Sequence, residues 1–100
     1  MSVDPVFRAI ERHRKAYAAR NAALDISASN SRKAYALTGR RTRSLFARAD
    51  ELVRVEPTTL KGATALARYV VGHWDEWEDE PERYFEVVAR LANALERLGA

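Results

Sequence analysis

The residues that could do chemistry in this 100-residue chain are few, and most are disqualified by their spacing. The two histidines, His13 and His73, are far apart, and neither has a second histidine four residues on, so the zincin pattern is absent. His73 and Glu76 stand three apart on one helical face. A di-metal bundle needs Glu-x-x-His twice, plus further inward carboxylates, and those are missing. No cysteine is present, which removes thiol nucleophiles, zinc-thiolate sites and disulfides. The serines cluster at Ser27, Ser29 and Ser31, where competition with helical hydrogen bonds explains them, and no Gly-x-Ser-x-Gly elbow exists. Four scattered glycines make no phosphate loop. The acidic run Asp75-Glu76, Glu78-Asp79-Glu80, Glu82 reads as a solvated helix end rather than an acid–base site. The sequence therefore predicts a protein that is not an enzyme, with no catalytic residue, metal or cofactor.

Two clusters remain as binding candidates. The first is basic: Arg32, Arg40, Arg41, Arg43 and Arg48, whose planar guanidiniums suit phosphate. On a helix they spread into a collar rather than one ridge. The helix that follows, from Leu60-Lys61-Gly62, offers almost nothing to read base edges, so a helix-turn-helix reading is weak. The second cluster is aromatic. Tyr69, Trp74, Trp77, Tyr84 and Phe85 are five of nine aromatic residues, gathered in 17 positions at one corner. Such a corner is either the lid of a core or an interface with another protein.

These clusters must be positioned by helices. No stretch alternates apolar and polar with period two, and apolar residues recur at three- and four-residue intervals throughout. All three prolines, Pro5, Pro57 and Pro81, fall where a helix should begin, the position at which proline loses no hydrogen bond. The expected fold is all-α, with about four helices over 4–24, 32–54, 59–78 and 81–98 arranged as two hairpins in a bundle. Asp4 caps the first, whose stripe is Val6, Ile10, His13, Tyr17 and Leu24, with Phe7 beside it. The second carries Tyr35, Thr38, Thr42, Leu45, Ala49 and Leu52, flanked by Phe46 and Val53, and Gly39 offers a point at which it could break. Thr58 or Thr59 caps the third, whose stripe runs Leu60, Ala63, Ala67, Val70, Trp74, Trp77, widened by Leu66 and Val71. The fourth presents Tyr84, Val88, Leu91, Leu95 and Leu98, and Gly99 follows it as a C-terminal cap.

The totals set further bounds. The length fits one domain, 1–100, and 47% hydrophobic residues suit a folded chain. Alanine supplies 18 of them, so the core is thin and self-association would add buried area. Net charge is +3, yet residues 1–48 carry 11 basic and 3 acidic side chains, whereas 49–100 carry 6 and 11. The two halves are suited to neutralise each other, within one bundle or across a dimer. No apolar run is long enough for a membrane span, and Met1-Ser2-Val3-Asp4-Pro5 lacks the pattern of a secretory signal, so a cytoplasmic protein is expected.

The segment Asp4-Pro5-Val6-Phe7-Arg8-Ala9-Ile10-Glu11-Arg12-His13-Arg14 resembles the D-P-I-F-x-A-I-E-x-H-R opening of a group of small helical proteins from rhizobia and related alphaproteobacteria. Pro57 to Val70, with Thr58, Thr59, Leu60, Gly62, Ala65, Leu66 and Tyr69, is similar to that group's P-T-T-L-x-G-x-x-A-L-x-x-Y-V segment. Tyr84-Phe85 and Leu91-Ala92-Asn93-Ala94-Leu95 resemble its terminal helix. The resemblance covers about two thirds of the chain. It implies a bacterial helical protein and brings no activity, site or cofactor. The stretch 25–48 is shorter and more basic than the group's middle, so nothing transfers there. The expectation is a homodimeric protein–protein interaction module; the alternative is a small nucleic-acid-associated regulator using the arginine collar.

Overall fold

Caps and apolar spacing divide the described residues into four helices. The computed structural model describes residues 3–27, 32–73 and 81–99, as α1 (Pro5–Ser27), α2 (Arg32–Arg54), α3 (Leu60–Gly72) and α4 (Pro81–Arg97), with no strand among the described residues. Asp4 opens α1 by accepting the Val6 N–H at 3.1 Å. Thr59 caps α3: its backbone is extended and its Oγ1 accepts the Gly62 N–H at 2.9 Å. Gly99 follows α4 with φ of 76°, the left-handed conformation that glycine adopts without strain. The helix α2 continues unbroken through Gly39.

The helices α1 and α2 form an antiparallel hairpin, and this is the most extensive helix–helix contact in the molecule. Its register is fixed at several levels. Thr38 Oγ1 donates to the Ala23 carbonyl at 3.1 Å, and Arg12 reaches Glu51 at 3.1 Å. The helix α3 lies against α1, and α4 lies across α2 and α3. The core runs through all four, with Val6, Ala9, Ile10, Ala49, Leu52, Val53, Leu66, Tyr69, Val70 and Val87 at its centre.

Several details depart from the sequence expectations. The helix α1 runs on to Ser27, past the expected end at 24, and Leu24 is exposed rather than core. Phe46 is also exposed, under the Arg83 guanidinium at 5.6 Å from the ring centre. The helix α3 stops at Gly72 instead of reaching 78. His73 caps it, donating its backbone N–H to the Val70 and Val71 carbonyls. Positions 74–78, and with them Trp74 and Trp77, lie outside the described residues.

The buried face of α3 is Gly62, Ala63, Leu66, Tyr69 and Val70, while Leu60 and Val71 are exposed. The helix is rolled toward α1 because Gly62 and Tyr69 have partners there. On α4 the covered face is Tyr84, Val87, Leu91, Ala94 and Leu98, and Val88 and Leu95 are exposed. Three arginines seven residues apart account for this roll. Arg83 pairs with Asp50 at 3.0 Å, Arg90 reaches the Arg54 carbonyl at 3.5 Å, and Arg97 binds Glu56 at 2.5 Å and the Pro57 carbonyl at 2.6 Å. They hold one flank of α4 against α2 and the link that follows it.

Candidate functional site

Four places could carry function, and the first is a polar corner where α1 meets the start of α3. The Asp4 carboxylate is buried and accepts four hydrogen bonds. Oδ1 takes the Val6 N–H, while Oδ2 takes the Thr58 N–H and Thr59 N–H, both at 3.0 Å, and the Thr59 hydroxyl at 2.8 Å. One carboxylate thus serves the N-termini of two helices, where negative charge is favoured. Burial pushes its pKa up. The bonds from Val6, the Thr59 hydroxyl, Thr58 and Thr59 outweigh that and leave it below the ordinary aspartate value. Gly62 makes the approach possible, since a Cβ there would overlap the carboxylate and come within 2.9 Å of Val6 Cγ1. Thr59, donating to Asp4 and accepting from Gly62, links the clasp to the α3 cap. The corner is closed and saturated, and its chemistry is structural.

The second place is a ring cluster behind it. His13 is fully buried, and its Nδ1 shares a 2.6 Å hydrogen bond with the Tyr69 hydroxyl. The rings meet edge to face. His73 donates its Nδ1–H to the Tyr69 carbonyl at 2.9 Å and lies tilted against the Tyr69 ring, with Tyr17 edge-on to His73. No group of three potential metal ligands occurs among the described residues. Beside the Tyr17, Tyr69 and His73 rings, His13 holds the Tyr69 hydroxyl in place.

The third place is a groove of about 330 Å³ along the outer seam of α1 and α2, lined by Arg12, Lys15, Ala16, Ala19, Arg41, Ser44 and Arg48. Glu51 sits at one end. It accepts from Arg12 Nη1 at 3.1 Å on one oxygen and from Arg48 Nη1 at 2.8 Å on the other. Burial raises the Glu51 pKa, but its bonds to Arg48 and Arg12 and their charges bring it below the ordinary glutamate value. Arg41 and Lys15 have no ion-pair partner among the described residues.

The fourth place is the uncovered side of α4. Phe85, Val88, Ala92 and Leu95 form an apolar stripe beside the buried one, with Phe85 66%, Val88 44% and Leu95 38% exposed. This is the flank opposite the arginines.

The candidates from the sequence are distributed among these places. Tyr69 belongs to the core cluster, Tyr84 is half-buried against the same core, and Phe85 faces outward, 6.1 Å from the Tyr84 ring. Of the basic set, Arg41 and Arg48 share the groove, while Arg32, Arg40 and Arg43 are exposed and do not line it. Reading α2 alone missed Arg12 and Lys15, which α1 contributes to the groove. Their signal was spacing: Arg12, Lys15, Ala16 and Ala19 share one helical face. No family model, curated protein or solved structure matches the chain. No described helix is long and apolar enough to cross a membrane.

Proposed function

We propose that this is a non-enzymatic cytoplasmic protein that works as a homodimeric protein–protein interaction module, pairing through α4. The observation that carries the reading is the form of the exposed stripe. Phe85, Val88, Ala92 and Leu95 are spaced three, four and three residues, a palindrome. Two copies of α4 packed antiparallel about a two-fold axis place Phe85 on the partner's Leu95 and Val88 on the partner's Ala92. Each contact is then made twice, residue for residue, as an isologous interface requires. Such a dimer covers apolar surface that a lone chain leaves in water.

The overall dimensions support the same reading. The accessible surface is 6787 Å², whereas a compact monomer of this mass exposes about 5,700 Å². The excess, about 1,100 Å², is larger than the roughly 800 Å² that each partner contributes to a standard interface. The radius of gyration, 15.4 Å, also exceeds the ~13 Å of a compact 100-residue chain. Nucleic-acid contact through Arg32, Arg40, Arg41, Arg43 and Arg48 draws less support, because these arginines do not share one face.

Light scattering coupled to gel filtration tests the reading. The wild type should elute with twice the chain mass at micromolar concentration, and Val88→Glu should elute as a monomer with unchanged helical circular dichroism. Because the chain has no cysteine, a Phe85→Cys/Leu95→Cys variant should form an intermolecular disulfide on mild oxidation. A wild type that runs as a clean monomer would sink the proposal.

A further inference from the structure

The groove between α1 and α2 is not used by the dimer reading, and among the described residues its charge is compensated only in part. Four cations line it, Arg12, Lys15, Arg41 and Arg48, and the one carboxylate bound to any of them among the described residues is Glu51. Glu51 takes one N–H from each of two guanidiniums, and each guanidinium has five. It fixes where these two arginines sit without consuming their capacity to donate. Lys15 and Arg41 stand further along the groove with no carboxylate partner among the described residues, and Ser44 adds a hydroxyl between Arg41 and Arg48. Four positive side chains kept close together against one described carboxylate are mutually repulsive, so a bound anion would relieve a cost that the free protein bears.

The dimensions narrow the ligand. On α1 the lining runs from residue 12 to residue 19, about 10 Å along the helix, and on α2 from 48 back to 41. Cations therefore stand at both ends of the groove and between them. Ala16 and Ala19 keep the floor low, so an extended ligand can lie between the helices. Its volume of about 330 Å³ falls in the range of small-molecule sites. No aromatic among the described residues lines it, and they offer no platform on which a strand's bases would stack. Arg40 and Arg43 are exposed but lie off the groove, and the Arg43 guanidinium reaches back beside Gly39.

We propose that the α1–α2 groove binds a linear oligophosphate, such as the phosphate chain of a nucleoside polyphosphate or of inorganic polyphosphate. Arg12 and Arg48, oriented by Glu51, would take one end as planar forks, with Arg41 at the other end and Lys15 and Ser44 between them.

Isothermal titration of the full chain with tripolyphosphate, with ATP and with a single-stranded 15-mer oligonucleotide at one salt concentration tests this. Saturable binding of tripolyphosphate at one per chain is expected. Lys15→Glu or Arg41→Glu should weaken it by about tenfold or more, whereas Arg43→Glu should leave it nearly unchanged. Tighter binding of ATP than of tripolyphosphate would assign the nucleotide as the source; equal or weaker binding would assign the inorganic chain. The proposal fails if tripolyphosphate does not saturate, if Arg43→Glu weakens binding as much as Arg41→Glu, or if the oligonucleotide binds tighter than either small ligand. Val88→Glu should bind tripolyphosphate like the wild type, so this result is read separately from the dimer. Neither Lys15 nor Arg41 holds an ion-pair partner among the described residues, and circular dichroism would verify that both variants fold.

Discussion

The Asp4 corner and the fourth helix solve the same problem, docking one helix on the α1–α2 hairpin, by opposite means. At the corner, a buried carboxylate and a missing Cβ fix α3 in one position, and each contact has a single acceptable partner. On α4, long arginines reach across a half-exposed flank, and the apolar arc is wider than the surface that covers it. Paired surface charges contribute little, about 1 kcal/mol or less each. Saturated buried ones are costly to disturb. The corner is therefore rigid and intolerant of change, whereas α4 has apolar surface left over for a partner.

Substitutions can break or sharpen this contrast. The largest effect should follow Gly62→Ala, which forces a methyl into the Asp4 carboxylate and against Val6. A loss of about 2–4 kcal/mol in urea unfolding is expected, combining overpacking with a broken clasp. Asp4→Asn should cost about 2 kcal/mol near neutral pH, because the amide loses the charge at two helix N-termini and turns an NH2 donor toward a backbone N–H that Asp4 accepts. The pH dependence has a definite sign. The folded-state pKa of Asp4 is lowered, so its contribution is complete above the ordinary aspartate value of 3.8 and is lost as pH falls through the lower folded value. Asp4→Asn should flatten the acid limb of thermal melting in that window. Tyr69→Phe removes the hydroxyl from His13 Nδ1 and should cost about 1 kcal/mol. The smallest change is expected on α4, where Val88→Glu at a concentration low enough to dissociate dimers should shift stability by less than about 0.5 kcal/mol. A loss at Val88 as large as that at Gly62 would abolish the contrast.

Much of this was legible in the sequence. The caps at Asp4 and at Thr58 or Thr59, the glycine after α4, and the bounds of α2 follow from local chemistry, and local chemistry is what a sequence displays. His13 was placed on the apolar face of the first helix, where it is found. What local patterns could not supply was the roll of each helix. Val88 and Leu95 continue an ideal stripe on α4, yet Val87 and Ala94 are buried in their stead, because Arg83, Arg90 and Arg97 find acceptors on α2 and beyond it. Likewise Leu60 and Val71 fit the period of α3, but Gly62 and Tyr69 have partners on α1. Asp4 was legible as one cap and Thr58 or Thr59 as the other, and the structure selects Thr59. That one oxygen of Asp4 serves the other cap depends on positions 55 residues apart meeting in space.

That meeting has a consequence for the order in which the chain assembles. The helices α1 and α2 are both 23 residues long, so an antiparallel hairpin returns the chain to the level at which it began. Equal length acts as a ruler that delivers Thr58 and Thr59 to Asp4, and the ruler must exist before the delivery. The clasp is then a late event, made on a hairpin already formed. Breaking it with Asp4→Asn should speed unfolding and leave the folding rate nearly unchanged in stopped-flow measurements. A clasp formed early would slow folding when broken. On this account the corner acts as a latch on the finished hairpin, setting how long the native state lasts rather than how quickly it is reached.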